Sequence, residues 1–142
     1  MLVEPRGDTT SLAAFPANRQ LFPRSLATGL GTLGVTGSES SGGFAEAVLR
    51  VFREGVQHGG EHAQALVYNG GAAGFAFNQS IAAELAGYGC ELSLRDAAGR
   101  ESVVAWAADL VAGDAFIIQG QSNATAPLYN GSSSDYINPY VR

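Results

Sequence analysis

Residues 75–106 read FAFNQSIAAELAGYGCELSLRDAAGRESVVAW, and the spacing of their apolar side chains decides the fold class. Phe75, Phe77, Ile81, Ala83 and Leu85 fall on one side of an extended chain with only Gln79 polar among them, whereas Asn78, Ser80 and Glu84 fall on the other. A period of two is what a strand with one buried face requires, because successive side chains point to opposite faces. Tyr88, Cys90, Leu92 and Leu94 alternate in the same way with Gly89, Glu91, Ser93 and Arg95. The short Asp96–Gly99 link then signals a hairpin into a strand through Val103, Val104 and Trp106. On this reading Phe75, Phe77, Ile81, Leu85, Leu92 and Leu94 share one core.

Upstream the pattern is less regular. Residues 1–30, broken by Pro5, Pro16 and Pro23, show no sustained period and read as an irregular segment. Thr32–Thr36 alternates enough for a short edge strand before the Ser/Gly loop 38–43. Residues 44–54 fit a helix with Glu46 and Arg50 at i,i+4, or a strand with Ala45, Ala47, Leu49 and Val51 on one face. Residues 55–61 hold three glycines and read as a loop, residues 63–68 as a strand, and Asn69-Gly70-Gly71 as a turn. Short strands with turn signals every ~8–12 residues point to a β-sandwich, which favours the strand reading of 44–54.

Tyr88 stands two residues before Cys90 at a strand start, the spacing of the tyrosine corner of immunoglobulin-like sandwiches. The competing reading is a strand aromatic whose hydroxyl sits at the rim. In both, Tyr88 is structural; in the immunoglobulin-like form Cys90, without a partner, is a buried thiol.

Composition narrows the function classes. Hydrophobic residues make up 46% and charged residues 15% of the 142, a globular balance. Thirteen acids against eight bases give a net charge of −5. All the bases are Arg and they are scattered, which argues against a nucleic-acid partner. A single Cys excludes an intramolecular disulfide and makes a cysteine metal site implausible. No run of ~18 apolar residues suggests a membrane span, and the N-terminus has no apolar stretch of signal-peptide length.

After Gly113-Asp114 the pattern changes to Ala115-Phe116-Ile117-Ile118, a continuous apolar run of the kind buried on both faces in parallel sheets. It stops at Gly120-Gln121-Ser122-Asn123. An apolar strand followed by glycine and an exposed serine suits a nucleophile, because the strand fixes the backbone and Gly120 permits a sharp turn. Three segments follow: 1–30 irregular, 31–112 a β-sandwich, and 113–142 the start of a second, α/β domain.

The stretch 113–124, GDAFIIQGQSNA, resembles the first block of the SGNH hydrolases, in the branch of sialate O-acetylesterases and related carbohydrate esterases, where the block reads GQSN. The resemblance implies Ser122 as nucleophile, its own N–H as an oxyanion donor, and Gly120, Gln121 and Asn123 as the shape of the turn. It also implies an acylated carbohydrate or another ester as substrate, no cofactor, and an extracellular or cell-surface setting. The remaining oxyanion blocks and the Asp-x-x-His block of that family are not in residues 1–142. The expectation is therefore an N-terminal part of an esterase that is inactive by itself, its remaining hydrolase portion lying beyond Arg142.

Other chemistries are weaker. His58 and His62 lie among Gly55, Gly59 and Gly60 and read as solvated loop residues rather than as a base for Ser122 or a metal pair. Residues 69–74, NGGAAG, lack the Lys of a phosphate loop. The sequons at Asn78 and Asn123 are read as unmodified. The alternative to an enzyme is a non-catalytic sandwich that binds carbohydrate or acts as a spacer, with Tyr68, Trp106 and Tyr129 as candidate contact aromatics, each of which fits a core or rim position equally well.

Overall fold

A computed structural model describes residues 9–116, and within them the chain is mainly β, without a helix. The strands are β1 Thr10–Ala14, β2 Leu21–Pro23, β3 Leu30–Glu39, β4 Glu46–Arg53, β5 Val56–Gln57, β6 His62–Ala65, β7 Ala73–Ala82, β8 Tyr88–Arg95 and β9 Glu101–Gly113. They form a three-stranded sheet in the order β1-β3-β7 and a larger one in the order β2-β9-β8-β4, with β5 and β6 both on the free edge of β4. The architecture is compatible with a β-sandwich.

Alternation builds the core. Ala73, Phe75, Phe77 and Ile81 of β7 are buried while Gly74, Ala76 and Asn78 are exposed. Ten antiparallel pairs, from Leu30–Ala82 to Glu39–Ala73, bind β7 to β3 and bring Leu33 and Val35 beside them. Ala47, Leu49 and Val51 of β4, Cys90, Leu92 and Leu94 of β8, and Leu110 of β9 close the same cluster from the other sheet. Burying each such Leu or Val contributes about 1.5–3 kcal/mol. The two sheets approach closely at Gly31, where a Cβ would lie 2.8 Å from that of Ala112.

Four expectations need correction. Leu85 is 79% exposed, because β7 stops at Ala82, the chain bends over 83–85, and Ala86 takes the inward place. The other five predicted core residues are buried. The segment before residue 30 is not irregular throughout: β1 pairs with β3, and β2 runs parallel to the end of β9. Consequently β3 is the middle strand of its sheet rather than an edge. Pro16 lies between β1 and β2, and Pro23 ends β2, where it donates no ladder bond. Finally, His62 belongs to β6, opposite Leu49, and not to a loop.

Residues 44–54 are resolved in favour of strand, and the 69–72 region is a turn closed by an Asn69–Ala72 bridge, with Gly70 and Gly71 at φ 62° and 90°. The Asp96–Gly99 link is a hairpin, held by Asp96 Oδ1 accepting from the Ala98 and Arg100 N–H groups. Along β9 the alternation slips twice. Ten residues, Glu101–Leu110, oppose eight, Tyr88–Arg95, so two β9 residues are extra and form bulges near Val104 and at Ala108–Asp109.

Glu39 is fully buried at the end of β3. Burial would raise its carboxyl pKa, but donors from Ser41, Thr10 and Thr9 outweigh it and hold the pKa below the ordinary value. This carboxylate ties β1 to β3 by hydrogen bonds instead of by apolar contact. The Tyr88 ring is buried, and its hydroxyl accepts the Ala82 N–H at 3.4 Å and donates to Glu84 at 2.6 Å. Strand β9 ends at Gly113, where Arg24 grips Asp114 at 2.7 Å.

Candidate functional site

Gly120, Gln121, Ser122 and Asn123 lie outside the described residues, as do Ile117, Ile118 and Tyr129. Of the candidate contact aromatics, Tyr68 donates its hydroxyl to the Phe44 carbonyl at 3.0 Å and packs against the core, a structural role. Trp106 is 49% exposed and lies outside the core cluster. His58 meets the Tyr88 ring edge-on, at a centroid distance of 5.9 Å. Burial pushes the Cys90 thiol up to about 12, so it stays protonated and is no nucleophile.

The outer face of β4, β8 and β9 carries two different surfaces. At one end Arg50 reaches Glu61 and Glu101, each at 2.8 Å, and Glu91 at 3.4 Å. Arg95 reaches Glu46 at 3.0 Å, Glu61 at 2.8 Å and Glu101 at 2.6 Å. These side chains roof over Val48 and Ser93, which are fully buried although neither belongs to the core cluster. Hydrogen bonds from Arg50 and Arg95 hold the Glu101 carboxyl at about 2, and those from Arg95 and Arg50 also lower Glu61.

At the other end the face is aromatic and open. Phe52 and Trp106 stand 5.1 Å apart between centroids and are tilted by 58°. Between them in the sheet is Gly89, paired with Phe52. A Cβ on Gly89 would lie 3.2 Å from the Ala107 carbonyl oxygen and 3.3 Å from Cζ2 of Trp106, so the indole lies across the bare glycine backbone. A groove of ≈ 280 Å³ opens here, lined by Phe52, Gly89 and Trp106 and by the rim carboxylates Glu54 and Asp109.

Both rim residues have left-handed backbone, φ 50° for Glu54 and 56° for Asp109, an uncommon conformation away from glycine. Glu54 begins the tight turn with Gly55 that joins β4 to β5, and its carboxylate accepts the Gly87 N–H. Asp109 sits in the second β9 bulge, where Asn18 Oδ1 accepts from the Ala108 N–H and the Ala108 carbonyl accepts from Arg19. The exposed Trp106 was legible as a contact candidate. Glu54, Gly89 and Asp109 were not, because a bulge and a turn bring them together.

Among the described residues no group of three or more His, Cys, Asp or Glu is placed to hold a metal ion, and no helix is long and apolar enough to cross a membrane. No family model matches the chain, nor does any curated protein or solved structure.

Proposed function

We propose that this chain joins an immunoglobulin-like β-sandwich to the nucleophile block of a serine esterase acting on acylated carbohydrates or related esters. The GQSN sequence at 120–123, following an apolar run, carries the reading. Strand order supports the immunoglobulin-like form: the N-terminal chain contributes β1 to one sheet and then β2 to the other, parallel to the last strand. The back-bond from Ala82 to the Tyr88 hydroxyl, six residues on, matches a tyrosine corner. The Arg24–Asp114 ion pair supports a fixed exit from the sandwich towards Ser122.

In this reading Ser122 Oγ attacks the ester carbonyl carbon while a histidine base takes its proton. The tetrahedral oxyanion is held by backbone N–H groups, that of Ser122 included, and collapses with release of the sugar alcohol. Water then hydrolyses the acyl-serine. The base belongs to an Asp-x-x-His block, a pattern that residues 1–142 do not contain. The test compares acetyl-ester hydrolysis by the natural-length protein and by its Ser122→Ala variant. Turnover should fall by about a thousandfold or more. Equal turnover in the two proteins overturns the assignment.

A further inference from the structure

We propose that one end of the sandwich is a docking face for residues 117–142 of this same chain, the segment that carries Ser122. Three pieces of chain meet at that end. After β2 the Arg24 N–H donates to the Gly113 carbonyl at the close of β9, and the Ser25 N–H donates to the Leu30 carbonyl to form a turn. The bend after β7 joins them, with the Ala83 N–H donating to the Gly29 carbonyl. Each piece puts a large apolar side chain into solvent: Leu26 is 90% exposed, Leu85 79% and Phe116 86%. Apolar side chains gathered at one place mark a contact surface. Between Leu85 and the chain exit lies a groove of ≈ 310 Å³, lined by Arg24, Ala83, Ala112 and Asp114 among others.

The charged groups lining this groove are paired within the sandwich, Asp114 with Arg24, and Glu84 with Arg53 and the Tyr88 hydroxyl. It therefore suits an occupant that brings apolar surface and little charge. Residues 117–142 have that composition: Asp135 and Arg142 are their only charged side chains, and Ile117 and Ile118 open the segment. They also start at the patch itself, because Phe116 stands only two residues after the anchored Asp114. A segment tethered so closely has an effective concentration on the order of millimolar, which favours it over a second copy of the chain in dilute solution. Six residues span at most about 20 Å, so Ser122 stays within that reach of Phe116 and the sandwich end becomes part of its surroundings. The docking holds whether or not Ser122 is a nucleophile, and its test needs no turnover.

A docked segment of this kind opens locally before the sandwich melts, so it is read by protection rather than by a denaturant midpoint. Leu85→Cys is introduced into the full chain, checked for folding by circular dichroism, and its reaction with a maleimide is followed by peptide mass mapping, which separates it from the buried Cys90. Val103→Cys, at a 61% exposed position of β9, is the reference. Adding Ile117→Ser and Ile118→Ser should speed labelling of Leu85→Cys about tenfold and leave Val103→Cys unchanged. In the unsubstituted chain, methyl NOEs should connect Leu26 or Leu85 with Ile, Leu or Val side chains of residues 117–142. Equal labelling of Leu85→Cys with and without the isoleucine substitutions overturns the proposal, as does the absence of those NOEs. Protection that grows with protein concentration overturns it too, because the patch is then covered by a second copy.

Discussion

Glu84 and Tyr88 are joined by a 2.6 Å hydrogen bond, with Arg53 gripping the same carboxylate at 2.8 and 2.9 Å. The three residues lock the loop between β7 and β8 to the end of β4. Hydrogen bonds from Arg53 and Tyr88 hold the Glu84 carboxyl at about 2 instead of 4.5, while burial and the bond to Glu84 raise the Tyr88 hydroxyl.

A carboxyl depressed in the folded state stabilises the fold fully above its unfolded pKa and ceases to do so as pH falls through the folded one. For Glu84 and Glu101 that window runs from about pH 5 down to about 2. We predict that acid unfolding steepens in this window and that Glu84→Gln flattens it. An NMR carboxyl titration placing Glu84 at or above 4.5 would contradict the geometry.

Cys90 should be inert in the native protein. At pH 8 its thiol is buried and protonated, with a pKa near 12. Ellman's reagent should label it only after denaturant unfolds the chain. Stoichiometric labelling under native conditions would mean that the core at Cys90 is open to solvent.

Leu92 and Leu85 sit seven residues apart, one fully buried and one 79% exposed. Leu92→Ala should cost about 2–5 kcal/mol in a denaturant melt, whereas Leu85→Ala should stay within about 0.5 kcal/mol. A loss at Leu85 as large as at Leu92 would show that another surface covers that bend.

Two glycines of β3 should behave differently. A Cβ on Gly37 would lie 2.6 Å from the Ser11 carbonyl oxygen and 2.6 Å from the Phe75 ring, so Gly37→Ala should destabilise by about 1–3 kcal/mol through backbone displacement. At Gly34 the nearest atom is Asn78 Oδ1 at 3.5 Å, and alanine should be neutral or stabilising there. Equal melting temperatures for the two variants would refute the tight β1–β3–β7 packing.

The sequence by itself determined that the chain is β-rich and where its strongest strands lie. The alternation in Phe75–Ile81 is a local consequence of one wet and one dry face, and the Asp96–Gly99 turn is local chemistry, whereas the polar positions alternating through Tyr88–Leu94 are largely covered in the fold. Only tertiary structure decided the rest. Residues 10–14 and 21–23 are too short and too exposed to announce themselves, and become strands because β3 and β9 offer unpaired edges. Leu85 follows the alternation on paper but leaves it because the chain turns before reaching it. The two bulges of β9 break the period of two, so the pairing of β8 with β9 decides which side Val103, Trp106 and Asp109 face. The buried Glu39 has a local donor in Ser41 but also depends on Thr9 and Thr10, about thirty residues away, since a carboxylate loses water favourably only where the fold brings enough such partners to it.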